Sequence, residues 1–339
     1  MQQRLKVYDR KYILSQTVVR EGETKLGQMV HALSDAATWQ LDLMYTPAKY
    51  VLLGIPEEVG VKANLGGGGT RTLWPAALRT FLNTQSTTAC PGDNVLVLGH
   101  MDFDDIQNDL HLLSLEQLRE RVSYIDECVT EVINAIAALG KIPLVVGGGH
   151  NNAYPIIKGV SKAMQTAINT VNLDAHSDFR RMEGRHSGNG FRYAYTENYL
   201  KQYAIVGLHE AYNAQNIIEE MRQNPDIRFS FFEDIFLNPE HNFEKYTRHA
   251  LDFVGTGRYG IEIDLDCIER TASSAMTPCG ISPVQARSFV RMAASSFLPC
   301  YLHLTEGAIT LENGFTDNNT AKLVSYLLRD FLVANSLSN

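Results

Sequence analysis

The sequence predicts an α/β fold: a mostly parallel sheet covered by helices on both faces. Three observations predict it. Short apolar runs recur along the 339 residues, helical patterns separate several of them, and no Pro/Ser-rich or low-complexity linker breaks the alternation. The first 45 residues are less regular and read as an extension, either an outer helix or an arm between subunits. Apolar runs then follow at 49–55 ("KYVLLGI"), 94–99 ("NVLVLG"), 141–147 ("KIPLVVG") and 168–174 ("INTVNLD"). Four more lie at 202–208 ("QYAIVGL"), 227–232 ("IRFSFF"), 259–266 ("YGIEIDLD") and 298–306 ("LPCYLHLTE"). Each has the length and apolarity of a largely buried strand. The clearest helix spans 114–139, where Leu115, Leu118, Val122, Ile125, Val129, Val132, Ile136 and Leu139 recur every three or four positions before Gly140 stops the run. A second fits 317–332, with Ala321, Val324, Leu327, Leu328 and Phe331 on one face. With no internal repeat, one domain over 1–339 is expected, its ligand sites beyond the carboxyl ends of the strands.

Composition narrows the function. At 45% hydrophobic and 20% charged the chain is globular, and its formal net charge of -8 with no concentrated basic patch argues against a nucleic-acid surface. Five widely spaced cysteines without a C-x-x-C indicate neither a disulfide framework nor a thiolate zinc site. The N-terminus is too polar for a signal-peptide core, and no apolar stretch is long enough to span a bilayer. A cytoplasmic protein with no membrane partner is expected.

The strand ends carry the chemistry. "VNLDAHSDFR" (171–180) places Asp174, His176 and Asp178 at every second position after an apolar run. Extended backbone running past the sheet would send all three to one face. Two carboxylates that close repel unless a cation relieves them, and carboxylate with imidazole suits a hard or borderline divalent ion. "PLVVGGGHNN" leaves His150 where a strand stops, and "GIEIDLDCIE" sends Asp264 and Asp266 to one strand face. Six such residues exceed what one catalytic metal with open positions takes. They suit two cations about 3.5–4 Å apart that share carboxylates.

These residues resemble the ureohydrolases, the family of arginases, agmatinases and formimidoylglutamases. The signatures are G-G-x-H at Gly147–His150, D-A-H-x-D at Asp174–Asp178 and D-x-D at Asp264–Asp266. "GHMDFDD" (99–105) is similar to the family's acidic loop, and Glu306 in "LHLTEGA" to its late substrate-facing glutamate. The resemblance implies a three-layer α/β/α fold with about eight mostly parallel strands, two Mn²⁺ per subunit, a bridging hydroxide, and a trimer or hexamer. It assigns His150 and Asp178 to one manganese and His176 and Asp266 to the other, with Asp174 and Asp264 bridging. It makes Glu306 the group that holds the cationic N–H bonds of the substrate.

Substrate choice falls to "DFRRMEGRHSGNGFRYA" (178–194). Arg180 after "DF" and Phe191-Arg192 after "HSGNG" look like formimidoylglutamases, and a guanidinium at Arg180 or Arg192 suits the acidic end of formiminoglutamate. Ser187 and Asn189 look like the arginase residues for the amino-acid end of the substrate. The expected activity is hydrolysis of a C–N bond in a linear amidine, with formimidoylglutamase first and arginase or another guanidino-acid hydrolase as the alternative. A single-zinc deacetylase of related fold and a catalytically silent metal-binding homologue are further alternatives. The glycines of "GGGGT" (66–70) lack the G-K-[ST] of a phosphate loop. His303 and Cys300 read as packing residues, and His186 as a loop histidine near enough in sequence to move a proton.

Overall fold

The computed structural model describes residues 4–33, 35–240 and 242–337; residues 1–3 and Ser34 of the leading segment lie outside the described residues. Its strands are β1 (Leu5–Val7), β2 (Tyr50–Gly54), β3 (Val95–Met101), β4 (Ile142–Val146), β5 (Ile168–Leu173), β6 (Leu200–Leu208), β7 (Ile227–Phe231), β8 (Tyr259–Asp264) and β9 (Pro299–Thr305). They form one sheet in the order β1-β3-β2-β4-β9-β8-β5-β6-β7. The pairings from β3 to β7 are parallel, and among the described strands only β1 runs antiparallel, along the edge of β3.

The eight apolar runs are β2 to β9. Residues on both faces of β2 to β6, β8 and β9 are largely buried, which is why these runs are apolar throughout rather than alternating, while β7, at the edge, buries only Ile227. In β2, Tyr50 and Leu52 join one hydrophobic cluster while Val51 and Leu53 join another. The first cluster lies under helices Leu73–Leu82, Pro283–Ala294 and Asn319–Ser336, the second under Leu115–Ala138 and Ala153–Met164. Two cores separated by one sheet make three layers. The helix at Leu115–Ala138 opens with a capping box, Ser114 accepting from the Gln117 N–H.

The ninth strand lies inside the first 45 residues. Leu5–Val7 is too short for a hydrophobic pattern to register, but it closes the edge of β3 with Leu5 opposite Met101. Gly99 makes that pairing possible: at φ +138° a Cβ there would sit 1.9 Å from the Lys6 carbonyl oxygen.

The order of the strands places the three ligand-bearing strand ends close together without making all of them neighbours. β8 and β5 are adjacent, whereas β9 lies between β4 and β8 and brings Glu306 to the same rim.

Candidate metal centre

After β4 the chain turns through Gly147 and Gly148, both at positive φ (+93° and +79°). At Gly148 a Cβ would lie 2.5 Å from Asn152 Nδ2 and 3.0 Å from Glu57 Oε1, so only glycine fits. The turn delivers His150 into a fully buried position. Its Nδ1 lies 2.8 Å from Asp178 Oδ2, 3.1 Å from Asp264 Oδ2 and 3.2 Å from Asp174 Oδ2. His176 stands across the cluster, its Nδ1 3.3 Å from Asp266 Oδ2 and 3.7 Å from Asp174 Oδ1. All six residues converge. Their atoms form two overlapping sets, His150, Asp174, Asp178 and Asp264 in one and Asp174, His176 and Asp266 in the other. Asp174 turns one oxygen to each histidine, whereas Asp264 belongs to the first set alone.

The backbone reaches this geometry by another route than strand alternation. β5 ends at Leu173, and Asp174–Asp178 is a bend in which Asp174 Oδ1 accepts the His176 N–H (2.6 Å) and Asp178 has φ +44°. β8 ends at Asp264, whose carboxylate accepts the Asp266 N–H (2.9 Å) as the chain enters a 3₁₀ turn. In both places an aspartate side chain folds the chain back on itself, which regular strand continuation does not require.

Burial raises the pKa of Asp264 well above the usual carboxylate range, and the charges of Asp266 and Asp174 add to the effect. Burial pushes Glu306 up to about 8, helped by Asp266 and Asp178. Against the same burial, hydrogen bonds from His150 and His176 hold Asp174 down at about 2. Both histidines are held well above the usual imidazole range: hydrogen bonds to Asp174, Asp178 and Asp264 overcome burial at His150, and the charges of and hydrogen bonds to Asp266 and Asp174 do so at His176. Left to itself the cluster retains protons where it needs positive charge. Asp266 Oδ1 is buried with no hydrogen-bond partner. A hard donor set, retained protons and an unsatisfied oxygen fit divalent cations.

Residues behind the cluster orient it. His150 Nε2 is 3.4 Å from Glu262 Oε2, which accepts from His303 Nδ1 (2.7 Å), while Glu262 Oε1 accepts from Tyr301 Oη (2.8 Å). His303 is thus a polar partner of a buried carboxylate, not inert packing. Glu57, also fully buried, accepts from the N–H groups of Val59, Gly60 and Gly149 and from the amides of Asn151 and Asn152. Glu262 had a signal in the sequence, since E-x-D-x-D puts it on the face of Asp264. Glu57 had none.

A cavity of about 440 Å³ opens onto His176, Asp178, Asp264, Asp266 and Glu306. Arg180 and Ser187 also line it, together with Asn64 and Tyr212, which sequence reasoning missed. Tyr212 stacks on His176, ring centroids 5.5 Å apart. Glu306 has φ +61°, and its Oε1 accepts the His150 N–H at 2.8 Å. Asn189 and Arg192 are not among the lining residues. The Asn189 side chain accepts from Arg185 and His186 N and donates to the Arg181 and Gly184 carbonyls, so it braces its own loop. Arg192 pairs with Glu220, donates to the Phe179 carbonyl and lies over the Phe179 ring. Both side chains make their contacts within the protein, away from the cavity wall.

The arginase-family model matches residues 48–333. The chain belongs to the arginase family. Among curated relatives, this arginase-family chain is 27% identical to the formimidoylglutamase of Macrococcus caseolyticus over 282 residues, 82% of each protein. It is 28% identical to that of Streptococcus pyogenes serotype M3 over 259 residues, 73% of this chain and 74% of the other. Among solved structures, it superposes on formimidoylglutamase from Bacillus subtilis with a TM-score of 0.75 at 17% identity, covering 95% of each chain. It also superposes on Trypanosoma cruzi formiminoglutamase with Mn²⁺, TM-score 0.73 at 17% identity, covering 94% of this chain and 100% of that one. This chain shares its three-layer fold with both solved structures.

Proposed function

We propose that the chain is a formimidoylglutamase, hydrolysing N-formimino-L-glutamate to glutamate and formamide with two Mn²⁺ per subunit. The observation that carries this reading is that one cavity opens onto the His/Asp cluster and onto Glu306 and Arg180 together. The curated relatives named above support it. Asp174, His150, His176, Asp178, Asp264 and Asp266 are the proposed ligands, and the two overlapping donor sets support two cations over a single zinc. When bound, such a pair supplies a water ionised near neutral pH, which an amidinium carbon with delocalised charge requires.

The chain's own residues do the rest. Glu306, with one oxygen held by the His150 N–H, accepts the cationic N–H groups of the formimino end and orients its carbon toward the cluster. Arg180 offers its guanidinium fork to the acidic end of the substrate. Arginine or another guanidino acid is the second reading, favoured by Ser187 on the cavity wall. A cytoplasmic location and a homo-oligomer, trimer or hexamer, belong to the same proposal; five free cysteines suit a reducing compartment.

The test is to assay manganese-loaded protein against formiminoglutamate, arginine, agmatine and guanidinobutyrate. Formamide release from the first is expected, and urea release from arginine in its place would replace this reading with the second. Arg180→Ala should raise KM about tenfold or more with kcat little changed, since a contact made equally in the ground and transition states has that signature. Asp174→Asn should abolish turnover.

A further inference from the structure

Arg180 is held from two sides. Its Nη1 donates to Asn64 Oδ1 (2.7 Å), and its Nη2 donates to Glu183 Oε1 (3.1 Å). Asn64 lines the cavity and Glu183 does not; Glu183 faces away, where it also meets Arg119 (3.4 Å). The two contacts are unequal in kind. Glu183 is a half-exposed carboxylate that competes, as a charge, with any carboxylate arriving in the cavity. Asn64 is a neutral acceptor that aims one nitrogen of the fork into the cavity without cancelling its charge. The Asn64 amide has a second use: its Nδ2 donates to Ser187 Oγ (3.2 Å). One side chain, at the end of the helix Val59–Ala63, therefore ties together Arg180 and Ser187, two of the residues by which the 178–194 loop lines the cavity.

We propose that Asn64 is a specificity-determining residue, which holds Arg180 and Ser187 as one preformed seat for the carboxylate of an acidic amino-acid substrate. This rests on the function proposed above and adds the residue that makes the seat. A neutral amide is the side chain the role demands. Removing it frees Arg180 to follow Glu183 away from the cavity. An acid in its place would satisfy Arg180 internally and repel the incoming carboxylate.

The test uses the manganese-loaded protein and two readouts: binding of L-glutamate by calorimetry, and kcat and KM for formiminoglutamate. Asn64→Ala should weaken glutamate binding and raise KM about tenfold, the loss of one well-aligned charge-assisted hydrogen bond. Asn64→Asp, which keeps the size, should weaken both further, with kcat falling less than about twofold in either variant. Glutamate bound as tightly by Asn64→Ala and Asn64→Asp as by the parent protein would overturn the inference alone. A parent protein that neither binds glutamate nor hydrolyses formiminoglutamate would overturn it together with the proposed function. An Asn64→Asp variant that loses kcat and keeps its KM would also overturn it, since the residue would then serve the reacting end.

Discussion

His186 is buried, with Nδ1 accepting the Gly188 N–H (3.1 Å) and Nε2 3.3 Å from Glu183 Oε1. A ring nitrogen that accepts a backbone N–H carries no proton, so the imidazole is neutral and braces the turn that presents Ser187. Burial lowers its pKa to about 3, and the charges of Arg180, Arg119 and Arg185 add to this, which removes it as a proton carrier near neutrality. The sign of the linkage follows. The unfolded chain takes up this proton near pH 6.5 while the folded site refuses it until about 3. The stability from the neutral ring is therefore complete above pH 6.5 and is lost as pH falls toward 3. His186→Gln should flatten the acid side of a plot of Tm against pH; an unchanged slope would mean that the ring is protonated in the fold. At this scale the six clustered residues were legible, because acids set directly after apolar runs have no cheap way to be buried unpaired. Asn64 and Glu57 were not, since what ties each to the site is a partner far away in sequence: Arg180 for the one, Gly149 and Asn152 for the other.

At the scale of elements, the runs that became β2 to β6, β8 and β9 were legible because each is largely buried on both faces and so is written as continuous hydrophobicity; β7 was legible from the aromatic residues of its short run, although only Ile227 is buried. Two kinds of feature were not. β1 is held by backbone pairing with β3 and by the Lys6–Asp102 ion pair (2.6 Å), neither of which leaves a periodic mark. The bends after β5 and β8 look like further strand, since aspartates at alternate positions read the same whether the backbone is extended or folded onto its own side chains. The β1 junction makes a direct prediction. Gly99→Ala would drive a methyl group into the Lys6 backbone, so β1 should leave the edge at a cost of about 1–3 kcal/mol. Hydrogen exchange should then rise at residues 95–101, and protection there equal to the parent's would refute the account.

Across the whole molecule, four neighbouring strands, β4, β9, β8 and β5, end in acids or histidine aimed at one place. That concentration of like charge opposes folding unless it is neutralised. A cation that binds only the folded chain stabilises it by about 2.7 kcal/mol at a concentration a hundredfold above its Kd. Chelation should therefore lower Tm by roughly 5 °C, and added Mn²⁺ should restore it. Calorimetry that found the same Tm with and without Mn²⁺ would argue that the cluster holds no ion.

The position of β9 has a consequence for biosynthesis. β2 to β4 and β5 to β7 emerge from the ribosome as two half-sheets, and the slot between β4 and β5 fills only when the last two strands arrive. Until then both halves expose an apolar, unpaired edge, the kind of surface that chaperones guard. The acids of β5 meanwhile wait for those of β8. A nascent chain halted before residue 259 thus has helices and strands in place but no centre at which chemistry can begin.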